Sequence, residues 1–268
     1  MSKKIAPVIK ATGCCVLFTL LLALASFIKH IFPPQYERYI YGILGLIVAF
    51  TVVFVFTRLE KKTLRAIGLQ WTKATLPKFF TGFFTGLLLS AIMIAIVVYF
   101  NGLKIIVAPG YNVPLFFAWG MSLLLLSLME EIAFRTYSFI TIKNTNGVWA
   151  AQVVIAVLFA LYHIAGGQAI MSSFLGPGVW AFIFGWAVFR TGGIAMATGI
   201  HFAANLFQAA IGQKKQYAAI WQIQPAHEIN SALQEQINMT GIAVQVALLL
   251  TGIFLTYRTS KQTGSFSK

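Results

Sequence analysis

Glu130 and Glu131 are neighbours in the run Ser122–Phe139, SLLLLSLMEEIAFRTYSF, and Arg135 follows four residues after the second. The chain holds only six acidic residues, all of them Glu. A charge at the centre of a helix in hydrocarbon costs roughly 2.5–3.5 kcal/mol on insertion scales, so two adjacent carboxylates persist there only where something offsets the cost. Residues four apart share a helix face, so Glu131 can pair with Arg135 and stay ionised. Glu130 points about 100° away around the helix and is left without that partner. A carboxylate so placed suits a general base. A purely structural Glu–Arg bridge that locks two helices would also explain the motif.

Two further apolar stretches carry polar residues at the same spacing. In Phe159-Ala160-Leu161-Tyr162-His163, Phe159 and His163 lie on one helix face. In His201-Phe202-Ala203-Ala204-Asn205 the imidazole and the amide, both able to donate hydrogen bonds, point the same way. Taken singly, His163 reads as a packed, hydrogen-bonded residue and the His201–Asn205 pair as interhelical glue, which contributes little within membranes.

The elements that must position these groups are membrane helices. Hydrophobic residues make up 59% of the 268-residue chain and charged residues 10%, with a mean hydropathy of +0.81. A soluble domain of this length would carry more charge. A span needs about 20 apolar residues, and such segments fall at 8–28, 39–57, 79–100, 116–140, 148–169, 178–191, 193–212 and 240–257. The sixth is short. Each is expected to be helical, because an open strand edge cannot satisfy its backbone in lipid. The sequence therefore predicts an all-α, polytopic bundle of about eight transmembrane helices. It reads as a single integral-membrane domain, 1–268, with a catalytic core over about 116–212. With the three polar spans centred near 128, 159 and 202, Glu130, His163 and His201 all lie within roughly 6 Å of the midplane. One buried cluster is compatible with that depth.

The net charge of +14 does not indicate nucleic acid, because the basic residues lie between apolar segments, where they set orientation. With the N-terminus inside, 15 of the 20 Lys and Arg fall on the cytoplasmic side, densest from Arg58 to Lys78. Lys29, Arg38, Lys104, Lys214 and Lys215 fall on the other. The expected topology is N-in and C-in. The first apolar run lacks a convincing cleavage site and reads as a retained anchor. Cys14 and Cys15 are adjacent and read as small core or lipid-facing residues. His30 and His227 read as interfacial or solvated, and Gly166-Gly167 and Gly192-Gly193 as turns or close helix contacts. The sequence has no His-Glu-x-x-His zinc signature, no phosphate loop, and no G-x-S-x-G context at Ser122, Ser127 or Ser138.

Taken in order, Glu130-Glu131-x-x-x-Arg135, Phe159-x-x-x-His163 and His201-x-x-x-Asn205 resemble the CPBP (CAAX protease and bacteriocin-processing, or Abi) family of intramembrane proteases, which includes the Ras-converting CAAX endopeptidase. The resemblance spans Glu130 to Asn205; no motif supports it in the N-terminal third. It implies an endopeptidase acting on a membrane-anchored peptide, such as a prenylated CAAX-type or bacteriocin-type substrate. Glu130 would be the general base and His163 would help hold the attacking water. His201 and Asn205 would stabilise the oxyanion, with Glu131, Arg135 and Phe159 in support. The family is described both as metalloprotease and as metal-free glutamate protease. No cofactor is favoured, but zinc is possible, with Glu130, His163 and His201 as ligands. The competing classes are a proton-coupled transporter, whose proton relays also use buried Glu and His, and a non-enzymatic immunity or scaffolding protein. A transporter would favour internal repeats or broken helices, but no internal repeat is visible and no Pro interrupts the polar spans.

Overall fold

The computed structural model describes residues 4–214, 218–225 and 230–264. Lys3, Lys215, His227 and Lys268, which entered the reading of the sequence, lie outside the described residues. The chain is an all-α, polytopic helix bundle. Its helices are α1 (Ile5–Ser26), α2 (Glu37–Leu59), α3 (Thr75–Phe100), α4 (Val113–Arg135), α5 (Tyr137–Asn146), α6 (Val148–Ala165), α7 (Ile170–Ser173), α8 (Val179–Thr191), α9 (Ala195–Ala210) and α10 (Ser231–Gln262).

All eight expected segments are helical, with altered limits. Seven helical stretches are long and apolar enough to cross a membrane; α9, with 16 residues, is shorter. The fourth stretch runs on to Asn146 but is broken at Thr136 between α4 and α5. Thr136 leaves the helical region (φ −92°, ψ −103°), and its hydroxyl donates back to the Ile132 carbonyl across 2.6 Å. The sixth is longer than the sequence suggested. It begins at Ile170 and passes through a π-turn over Phe174–Gly178 that contains Pro177. The apolar count stopped at Gly178, while wider turns carry the helix through Pro177; the three polar spans, 116–140, 148–169 and 193–212, contain no proline, as expected.

Two short strands stand outside the helices. β1 (Leu103–Val107) pairs antiparallel with β2 (Trp221–Pro225), Ile105 opposite Ile223. The hairpin ties the segment after α3 to the segment after α9. Gly167 (φ +92°) and Gly192 (φ +73°) make the turns expected of them.

Glycines set how closely the site-bearing helices approach. A Cβ on Gly82 or Gly86 of α3 would stand 2.1 Å from the Met196 carbonyl oxygen or 2.5 Å from that of Ile200, and one on Gly199 of α9 would stand 2.1 Å from the Phe79 carbonyl oxygen. The GxxxG spacing in α3 thus brings it into backbone contact with α9, the mode by which small residues drive helix association in lipid. Across the bundle, Gly45 of α2 leaves room for the Met129 thioether of α4. The buried core runs through α1, α4, α5, α6, α8 and α9, with Phe18, Phe134, Phe159, Ile183 and Ile200 fully buried or nearly so. Cys14 and Cys15 are buried, and the Cys15 thiol donates to Ser138 Oγ at 3.4 Å. His30 is exposed and faces Glu37 across 3.3 Å.

Candidate active site

The last turns of α4 carry Glu130, Glu131 and Arg135 into the middle of the bundle. Glu131 and Arg135 are wholly buried, with Arg135 Nε 3.6 Å from Glu131 Oε2. The guanidinium makes no hydrogen bond to a described residue. It lies instead over the Phe159 ring at 3.9 Å, with Phe184 at 5.2 Å and Phe134 at 5.8 Å. A desolvated cation over an aromatic face gains about 2 kcal/mol. Phe159 thus supports the ion pair as well as the imidazoles, meeting the His163 ring edge-on at 4.6 Å.

Glu131 has a second partner. His201, on α9, brings Nδ1 to 2.9 Å from Glu131 Oε1 and Nε2 to 3.5 Å from Glu130 Oε2. The imidazole stands between the two carboxylates, one at each ring nitrogen, and Phe184 stacks on its face at 4.5 Å. Glu130 Oε1 accepts from the Tyr162 hydroxyl at 3.3 Å. Glu130 Oε2 is buried and takes no hydrogen bond from a described residue. The division expected from helix geometry, Glu131 paired and Glu130 free of Arg135, is the arrangement present.

His163, on α6, sets Nδ1 2.8 Å from the Phe159 carbonyl oxygen, which fixes its ring. Asn205 donates its amide to the buried Ser127 Oγ across 3.1 Å, tying α9 to α4. His163, His201 and Asn205 line one chamber of about 220 Å³, closed by Phe159, Trp180 and Pro177. The π-turn in the sixth helical stretch forms part of its wall, a placement frequent for such turns at functional sites.

Four participants were not singled out from the sequence. Tyr162 lies within a quoted motif, and its contact with Glu130 could have been sought one residue before His163. Ser127 sits four residues before Glu131, on the same face, and that spacing was the available signal. Phe184 carried none. Lys214 was counted only as a loop cation, yet it lines the chamber. Burial pushes its ammonium below the ordinary lysine range, while the charge of Glu130 acts in the opposite sense.

Zinc was a possibility for Glu130, His163 and His201. Among the described residues no three His, Cys or Glu side chains converge as a metal-holding group. Both His201 nitrogens face carboxylates, and His163 Nδ1 faces a carbonyl. With no such group formed, the three residues do not make a zinc set in this arrangement.

The helix bundle, with helices long and apolar enough to cross a membrane, thus holds two carboxylates bridged by an imidazole that lines a polar chamber. Residues 112–207 match the family described as Type II CAAX prenyl endopeptidase Rce1-like. The match bears out the resemblance drawn from the three motifs and runs from α4 into α9, so it contains every motif residue. No curated protein matches the chain.

Proposed function

We propose that the protein is an intramembrane endopeptidase that hydrolyses a peptide bond of a membrane-anchored substrate. The observation that carries this reading is His201, held by Glu131 at one nitrogen and facing the unbonded Glu130 Oε2 at the other, on the wall of a polar chamber. The match to a CAAX endopeptidase family over the same residues supports it.

In this mechanism Glu130 Oε2 takes the proton of a water held beside it and His163, and the water oxygen attacks the scissile carbonyl. Glu131 can only accept, so His201 Nδ1 carries a hydrogen. For Nε2 also to donate to the oxyanion, the ring must hold both hydrogens, and Glu131 and Glu130 together then offset its charge and that of Arg135. Asn205 has two amide hydrogens; Ser127 takes one, and the other is left for the oxyanion. Donors fixed before reaction in a low-dielectric site stabilise developing charge without reorganisation. Glu130 then returns its proton to the leaving amine. The Arg135–Phe159 stack holds Glu131, and so the His201 ring, in place.

The single-domain organisation and the N-in, C-in placement stay part of the proposal. In cells, reporters at the C-terminus and in the loop at Lys61 should both report cytoplasm, and a C-terminal reporter on the far side would overturn that placement. The function itself is tested by cleavage of membrane-anchored, prenylated peptides by wild type and Glu130→Gln in liposomes, with zinc measured in the same protein. Cleavage by wild type alone supports the reading; cleavage by neither refutes it, and equal cleavage by both removes Glu130 from the role of base.

A further inference from the structure

The chamber does not end at the reacting groups. It shares the walls Trp180, Gln208 and Gln245 with a second cavity of about 240 Å³ between α3, α9 and α10. That cavity shares Val97, Gln213 and Ile237 with a third, of about 600 Å³, which reaches Gln222 and Ile223 of β2. Three adjoining cavities, each sharing wall residues with the next, therefore lie in a row from His201 and Asn205 to the β1–β2 hairpin.

Their walls have a consistent chemistry. Neutral amides recur along the series, with Gln168 and Gln208 near His201, Gln213 and Gln245 in the middle, and Gln222 at the far end. No acidic side chain lines any of the three among the described residues, and Lys214 is the one Lys or Arg that does. Two polar atoms of the middle compartment, Ser90 Oγ and Gln245 Oε1, are buried and make no hydrogen bond with described residues. A buried polar atom without a partner costs about 1–3 kcal/mol, so such atoms call for a partner that donates and accepts. A lipid tail would leave both unpaired. A polypeptide backbone offers an N–H and a C=O at every residue. The hairpin, having only two strands, leaves each strand an outer edge on which an extended segment can pair.

We propose that the three cavities form the seat of an extended peptide substrate, which enters beside β2 and reaches Glu130 and His201 through the compartment between α3 and α10. The proposal rests on the endopeptidase reading. It implies recognition through main-chain hydrogen bonds, tolerant of neutral side chains and poor for segments dense in lysine or arginine, which would meet Lys214.

Gly241 of α10 lines the middle compartment, and a Cβ placed there meets nothing within 4 Å. Gly241→Phe should therefore fill the passage without disturbing the helix, with Gly241→Ala as the non-filling control. The probe is a nested set of farnesylated peptides lengthened stepwise on either side of the lipidated cysteine. For peptides long enough to enter the middle compartment, Gly241→Phe should lower kcat/KM by about tenfold or more, while the shortest cleaved peptides change by less than about twofold. An unchanged rate for long peptides, or an equal loss at every length in a folded variant, would overturn the passage. If wild type cleaves none of the set, the endopeptidase reading fails, and binding then decides the passage. Ile237→Cys should exchange with a peptide carrying a pyridyl disulfide, forming the mixed disulfide and releasing pyridinethione, above the wild-type blank, and the added Gly241→Phe substitution should abolish it. Trapping no greater than the blank would overturn the passage on its own.

Discussion

Glu131 Oε1 accepts from His201 Nδ1 across 2.9 Å, joining the last turns of α4 to the middle of α9. The same carboxylate faces Arg135 through its other oxygen. One buried anion thus orients the imidazole and faces the guanidinium, while its neighbour Glu130 keeps an oxygen unbonded against His201, which lines the chamber.

Replacing that neighbour tests the chemistry directly. Glu130→Gln keeps the side chain's size and its contact with Tyr162 but removes the proton acceptor. Turnover should fall by about two orders of magnitude or more, the contribution expected of a general base. Size-exclusion elution and thermal unfolding in detergent should match wild type. Normal turnover from a well-folded variant would remove Glu130 from the role of base.

Arg135→Ala should act on folding rather than on chemistry alone. It leaves Glu131 as a buried charge with only His201 beside it and opens a hole between three phenylalanine rings. Breaking a buried pair in this way costs about 3–5 kcal/mol. A lower Tm and reduced yield, both worse than for Glu130→Gln, are the expected readout. The reverse ranking would mean that the two glutamates have been assigned the wrong partners.

Asn205 and Ser127 separate donation from positioning. Asn205→Ala should lower kcat by about 10²–10³-fold with KM nearly unchanged, since the oxyanion exists only in the transition state. Ser127→Ala leaves the amide present but unanchored, so it should lower kcat by a smaller factor and leave KM alone. A rise in KM without loss of kcat in Asn205→Ala would point to substrate binding instead.

The α3–α9 contact makes a prediction remote from the chemistry. In Gly199→Ala the added methyl would stand 2.1 Å from the Phe79 carbonyl oxygen, a backbone atom that cannot rotate away. Such overpacking costs about 1–3 kcal/mol and forces the helices apart. Unfolding should shift to lower temperature, and activity should fall with it because His201 lies two residues further along α9. Gly13→Ala on α1, where an added Cβ meets only the Phe56 ring at 4.0 Å, should change neither.

The sequence disclosed those parts of this arrangement that follow from spacing along one helix. Glu131 with Arg135, and the separation of Glu130 from that pair, came from the four-residue repeat alone. The helical character of the apolar segments followed from the absence of water to satisfy their backbones. What escaped depends on contacts between segments distant in the chain. Ser127 meets Asn205 only because α9 lies against α4, and Lys214 enters the chamber only because the chain turns back after α9. Phe184 looks like any apolar residue until its ring is found on His201. The limits of the sixth stretch were misjudged because Pro177 reads as a stop, whereas a π-turn absorbs it. The GFFTG run in α3 was legible as a contact motif and passed unread among its phenylalanines.

Backbone contact between α3 and α9 also constrains how the enclosure can be breathed open. Two helices whose main chains touch through Gly82, Gly86 and Gly199 have no side-chain layer between them to slide or compress. A displacement of α3 would therefore be passed directly to α9, and with it to His201 and Asn205. On its other side α3 faces α10 across unfilled space rather than across glycine, so the two borders of α3 differ in how much displacement they can absorb.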